Sequence, residues 1–250
     1  MNLASVTFGY RRRGRPVLDD LTWAVPAGRT VLLGPNGAGK STLLGVAAGV
    51  LLPRRGHVEV SGLQFGPSRR RVRDYSRGVG WMPQTVRPIP GLRVVEQVAY
   101  AGWLRGLGRA EASERALEAL KLVDLADKRD TPVHQVSGGQ LRRVGLASAV
   151  VHRPPQLLLD EPTAGLDPAQ RERFRALLDS VLVGCDVVVS THQVDDLSES
   201  YDHVAVLVDG QIRFVDTMAA FLAVADDDEP RRAEVAYRRV TAGATVGDGS

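Results

Sequence analysis

The run TVLLGPNGAGKSTLL, Thr30 to Leu44, joins a short apolar strand to a helix through a loop rich in glycine. Its centre, Gly34 to Thr42, satisfies the phosphate-loop pattern G-x-x-x-x-G-K-[ST] in full. Such a loop lets backbone N–H groups converge on an anion at the positive end of a helix dipole. The expected cradle is Gly34, Pro35, Asn36, Gly37, Ala38, Gly39, Lys40, Ser41 and Thr42. Lys40 would reach the β- and γ-phosphates, and the Ser41 hydroxyl would ligate Mg²⁺. The bland alternative, a glycine turn beside a surface lysine, does not account for the flanking strand and helix.

Further along, LLLDE, Leu157 to Glu161, is an apolar run ending in two acids. It reads as a strand that delivers Asp160 to the sheet edge where the phosphate loop sits, to hold the Mg²⁺ shell. Glu161 follows and is placed to orient or deprotonate an attacking water. An exposed acid at a strand end is the alternative. Between the two motifs lies VSGGQ, Val136 to Gln140, a second glycine turn opening a helix-like run. A helix N-cap with flexible glycines would explain it locally. It does not explain why a chain that already holds one phosphate loop carries another anion-seeking turn. No N-K-x-D guanine-reading motif is present, and a RecA-like motor or a kinase has no use for VSGGQ.

The rest of the chain reads as strands alternating with helices. LASVTFGY, VLDDLTWAV, GHVEVSG, GVGWMPQ and DVVVS are strand-like, while KSTLLGVAAGV and PAQRERFRALLDSVL are helical. From Leu92 to Val151 apolar residues recur at three- and four-residue spacing. The expected fold is α/β: a P-loop NTPase core with a mostly parallel sheet, an N-terminal antiparallel β subdomain and an inserted α-helical subdomain at about residues 88–151. Residues 1–225 form the expected domain, and 226–250 a linker and tail. Within that tail RRAEVAYRRV reads equally as helix or strand, and TAGATVGDGS as a disordered end.

Composition permits a proper core, with 44% hydrophobic residues over 250. The formal net charge of +3, from 32 basic and 29 acidic residues, gives no general reason to expect nucleic acid. The arginine clusters Arg11–Arg13 and Arg69–Arg73 read as solvated loop charge, with an anionic membrane surface or an RNA as the alternative. A single cysteine, Cys185, excludes an internal disulfide and fits a reducing compartment. Neither a signal peptide nor an apolar run of roughly 18 residues is found, so a soluble protein is expected, with any membrane crossing left to a partner.

Taken together and in this order, GPNGAGKST, VSGGQ, LLLDEPTAGLD and STH resemble the nucleotide-binding subunit of ABC transporters over roughly residues 2–222. In that family two cassettes pack head to tail, each ATP lying between the phosphate loop of one and the signature turn of the other. The resemblance therefore implies that Ser137, Gly138, Gly139 and Gln140 serve a nucleotide held by a second cassette, identical or not. It also implies that Tyr10 stacks on adenine, with Phe8 as a rival because RRRGR after Tyr10 blurs the register. Gln84 would reach Mg²⁺ and the water, Asp167 would cross the dimer interface, and His192 would contact the γ-phosphate. The other histidines, His57, His134, His152 and His203, read as surface or structural. Two positions depart from the family pattern: Val136, where leucine is commoner, and Gln156, a polar residue expected at an exposed strand start.

The implied function is an ATPase, using ATP and Mg²⁺, that powers an ABC transporter from the inner face of the cell membrane through a separate permease. No nucleic-acid partner is expected. LRVVEQVAYAGWLRGLG and AEVAYRRVTAG resemble the exporter branch, with an importer as the alternative. A soluble ABC ATPase acting on ribosomes or DNA fits a single 250-residue cassette poorly, and Glu161 and His192 argue against a regulatory module without turnover.

Overall fold

A computed structural model describes residues 1–11, 14–68, 72–181, 184–194, 197, 200–226 and 229–243. Arg12 and Arg13, the arginines at 69–71 and the tail at 244–250 lie outside the described residues. The strands are β1 (Asn2–Phe8), β2 (Leu18–Ala24), β3 (Arg29–Leu33), β4 (Arg55–Val60), β5 (Leu63–Phe65), β6 (Val79–Met82), β7 (Gln156–Asp160), β8 (Asp186–Thr191), β9 (His203–Val208) and β10 (Gln211–Thr217). The helices are α1 (Lys40–Ala47), α2 (Val72–Tyr75), α3 (Val94–Leu104), α4 (Arg109–Leu122), α5 (Gly138–Val150), α6 (Pro168–Val181), α7 (Met218–Leu222) and α8 (Arg232–Gly243). They gather into two compact units, residues 1–71 with 187–250, and residues 72–186.

In the first unit β2, β1, β4 and β5 form an antiparallel sheet. A second layer is parallel where it carries chemistry: β3 lies between β8 and β9, with Leu33 beside Thr191 and Val206. The residues of β3 after Arg29 are all buried, as expected of a strand covered on both faces. The hairpin from β9 to β10 turns on Asp209 and Gly210, both with positive φ (49° and 75°), the geometry for which an Asp-Gly pair is suited. The stretch RRAEVAYRRV is helical from Arg232 onward, within α8. Its Ala236 is buried in a core cluster with Val204, Val206 and Phe221, and Tyr237 and Val240 pack against it. Arg239 pins the helix by donating to the Val224 carbonyl (2.8 Å), Asp226 (2.9 Å) and Glu229 (3.0 Å).

The second unit joins the parallel pair β6 and β7 to α3, α4 and α5, with α6 following. Buried Val94, Val98, Ala112, Ala116, Leu120, Val144 and Ala147 are the inward positions of the expected helical period. Gln156 does not lie at an exposed strand start. It is buried within β7, and its side-chain amide donates to the Asp186 carbonyl at 3.2 Å, which supplies the partner a buried polar group requires. His152 is also buried, its Nε2 at 3.2 Å from the Val79 carbonyl. Burial, with help from the charges of Arg105 and Arg115, lowers its pKa to about 4. Among the described residues no helix is long and apolar enough to cross a membrane.

Candidate functional site

The first unit carries the phosphate loop. β3 ends at Leu33, and the chain swings through Gly34 to Gly39 before α1 begins at Lys40. A side chain at Gly34 would collide with the Leu207 carbonyl of β9, so only glycine fits that close approach. Gly37 and Gly39 adopt left-handed backbone (φ 85° and 102°), which curls the loop back over the helix start. No side chain caps the first turn of α1, and no acidic residue opposes an anion there. Lys40 is buried, and its ammonium donates to the carbonyls of Gly34 (2.7 Å) and Pro35 (3.2 Å). The ammonium is thereby held within the loop, while Ser41 beside it is exposed.

Two further residues of this unit share the neighbourhood. Tyr10 is 69% exposed, and its hydroxyl lies 3.0 Å from Oγ1 of Thr42, the last residue of the loop. Phe8 is buried, its ring meeting that of Tyr10 edge-on at 5.2 Å between centroids. Tyr10 therefore presents the free aromatic face, and Phe8 is a core residue. His192 is exposed and follows β8 directly, at the strand end where Leu33 of β3 pairs with Thr191.

The second unit carries the carboxylates. β6 and β7 run in register, Met82 beside Leu159, so the residues beyond them leave from the same end. Gln84 and Glu161 meet there, the Gln84 amide nitrogen donating to Glu161 Oε2 at 3.1 Å. Asp160, at the end of β7, is buried. Glu161 has φ 44°, a left-handed backbone rare for a residue of its kind. The turn it opens, Glu161 to Ala164, is closed by the Ala164 N–H on the Glu161 carbonyl at 3.1 Å. The Arg142 guanidinium reaches the same turn from α5, donating to the carbonyls of Glu161 (3.3 Å) and Ala164 (2.7 Å). Sequence reasoning passed over Arg142, because a basic residue on a polar helix face carries no distinguishing signal.

The second glycine turn is a complete capping box. Ser137 Oγ accepts from the Gln140 N–H at 3.2 Å, and Gln140 Oε1 accepts from the Ser137 N–H at 2.9 Å. A side chain at Gly139 would come within 3.2 Å of Gln170 Oε1. Gly138 differs. Its φ is not positive, and among the described residues nothing outside its own helix and chain neighbours comes within 4 Å of a Cβ built there. None of the described residues of the unit requires glycine at that position. Beside the turn lies a cavity of about 300 Å³, lined among others by Ser137, Gly139, Arg143, Gln170 and Arg173. Asp167 is exposed and accepts from the Gln170 N–H at 2.8 Å, capping α6 ahead of Pro168.

Taken singly, Ser41 of the first unit carries a hydroxyl, and Asp160 and Gln84 of the second a carboxylate and an amide, each an oxygen donor of the kind Mg²⁺ accepts. Among the described residues no cluster of three or more His, Cys, Asp or Glu could hold a metal by itself. An ion that takes most of its shell from phosphate and water needs none.

A family profile described as ABC transporter matches residues 18–164. The cobalt import ATP-binding protein CbiO of Rhodobacter capsulatus is 43% identical over 213 residues, 84% of this chain and 76% of its own length. The taurine import ATP-binding protein TauB of Pseudomonas aeruginosa is 39% identical over 196 residues, 77% of this chain and 72% of its own. Among solved structures, a dimeric ATP-binding cassette in a post-hydrolysis state with ADP and Pi aligns with a TM-score of 0.75 at 27% identity. That alignment covers 87% of this chain and 98% of the other.

Proposed function

We propose that this chain, which belongs to the ABC transporter family of ATP-binding subunits, drives import. That it is an ATPase subunit of an ABC transporter is the premise. The direction is carried by one observation, the import role in the name of the 43% identical CbiO, which TauB shares. The exporter likeness rests on residues 92–108 and 233–243.

In this reading the cassette occupies residues 1–225, with its helical subdomain at about 88–151, and works at the cytoplasmic face through a separate permease. The phosphate loop and Lys40 hold the β- and γ-phosphates of ATP, and Tyr10 offers its exposed ring to the adenine. Ser41, Asp160 and Gln84 would hold Mg²⁺, which would supply positive charge to the phosphates. Glu161, aimed by its bond to Gln84, orients the attacking water, and His192 contacts the γ-phosphate. Ser137 to Gln140 receive the nucleotide of a second cassette, and Asp167 crosses to it. Gly138 supports that role, since a position left clear with no internal need for glycine is clear for something outside the chain. ATP then touches two cassettes only when they are closed, so binding favours closure and hydrolysis releases it.

Direction is tested in cells lacking the chain, by measuring accumulation of Co²⁺ and of taurine. Wild-type protein should restore uptake of a cargo, and Lys40→Ala should not. Restored extrusion of a cargo, with uptake unaffected, would overturn the importer reading.

A further inference from the structure

We propose that Arg142 is a positioning residue for hydrolysis: its guanidinium clamps the turn that aims Glu161 and fastens that turn to the helix begun by Ser137. The inference rests on the reading of Glu161 as the residue that orients water.

Four observations carry it. First, the two bonds from Arg142 end on the two ends of one turn, the Glu161 carbonyl at 3.3 Å and the Ala164 carbonyl at 2.7 Å. A planar guanidinium can span such a pair, whereas a lysine ammonium is a single point. Second, the turn holds Glu161 at φ 44°, a conformation that persists only where its surroundings impose it. The Ala164 N–H on the Glu161 carbonyl closes the turn without fixing it to anything else. Arg142 supplies the anchor. Third, the Glu161 carboxylate accepts separately from the Gln84 amide at 3.1 Å. Backbone and side chain of one residue are thus fixed by two different elements. Fourth, Arg142 stands on the same continuous helix as the Ser137 capping box. Arg142 is five positions beyond Ser137, roughly 7.5 Å of helical rise. A shift of the helix start when Ser137 meets a partner's nucleotide therefore moves the anchor of Glu161.

The electrostatics agree with this placement. Arg142 is half-buried, which lowers its pKa, while the charges of Glu161 and Asp160 raise it. The turn carbonyls take over the hydrogen bonds that burial removes from the guanidinium.

The test uses the full chain and steady-state ATP hydrolysis, with single-turnover measurement for slow variants. Arg142→Met keeps an unbranched apolar stem and loses both bonds. A misplaced reacting group can cost about 100-fold, so kcat should fall by roughly 10- to 100-fold. KM for ATP should stay within about twofold, because the phosphate loop is untouched. Arg142→Lys should recover part of the loss. The deciding comparison is made in Glu161→Gln, where there is no carboxylate left to aim. There Arg142→Met should change the residual rate by less than about twofold and leave the ATP-bound dimer intact, since residues acting as a unit are not additive. An equal fall in both backgrounds, a rise in KM at constant kcat, or loss of the dimer in the double variant would each overturn the clamp. Should Arg142→Met fail to fold by circular dichroism, Arg142→Gln carries the same comparison. Full turnover in Glu161→Gln alone would instead overturn the reading of Glu161, and the clamp with it.

Discussion

Tyr10 is where a single residue separates two readings of the chain. Its ring is exposed, and its hydroxyl is steadied by Thr42, while Phe8 is shut in the core. Stacking of a base on an aromatic face is worth about 1–3 kcal/mol, so Tyr10→Ala should weaken ATP binding roughly tenfold or more. Tyr10→Phe should largely preserve it, and Phe8→Ala should lower thermal stability before it lowers affinity. Titration with a fluorescent ATP analogue, alongside melting curves, would show the reverse if the register were two residues off. Sequence alone could not choose because alternation fails in β1. Ser5 has φ 49°, and the pairing of β1 with β2 shifts between Leu3 and Val6 and again between Val6 and Phe8. A strand kinked in this way no longer assigns faces by counting twos. The phosphate loop was legible for the opposite reason, since every glycine in it answers to a local need.

At the scale of elements, His152 ties the end of α5 to β6 by its bond to the Val79 carbonyl. The fold holds its imidazole neutral down to pH about 4, against 6.5 ordinarily. The unfolded chain takes up that proton from about pH 6.5 downward, and the folded chain does not until about pH 4. Stability from this group is therefore complete above pH 6.5 and declines as pH falls toward 4, by up to about 3 kcal/mol. Urea midpoints measured across that range should fall, and His152→Gln should flatten the dependence. Helix α8 makes a second case. Ending the chain at Asp226 would uncover Phe221, Val204 and Val206 and remove the arginine lock, at a cost on the order of 3–5 kcal/mol. Tm should drop by about 10 °C, and an unchanged melt would mean the helix is dispensable. The helices from α3 to α6 were legible because their apolar residues keep a 3.6-residue period over ten residues or more. α8 was not, because its polar sequence buries Ala236 alone completely and leaves the rest at the margin. β9 and β10 announced themselves in the Asp-Gly pair that turns between them. Gln156 misled because a polar residue signals exposure unless its hydrogen-bond partner is known, and that partner, the Asp186 carbonyl, lies thirty residues away in sequence.

On the scale of the whole molecule, the expectation is that turnover belongs to two chains. Glu161→Gln should slow water attack while leaving phosphate contacts in place, so an ATP-bound dimer should accumulate, visible by size exclusion with light scattering. Ser137→Arg in that background should abolish the dimer and spare ATP binding by the monomer. Loss of monomer binding in Ser137→Arg would mean that the signature turn serves its own chain's nucleotide. The bare backbone of Gly138 adds a tension to this arrangement. Replacing a glycine by alanine where the backbone accepts it stabilises by about 0.4–1 kcal/mol, and nothing nearby among the described residues would obstruct a methyl group. Gly138→Ala should melt higher and hydrolyse more slowly. Screening variants of the isolated chain for thermal robustness would therefore select against its own catalysis, and a thermostabilised cassette should be checked at this position before its inactivity is blamed on anything else.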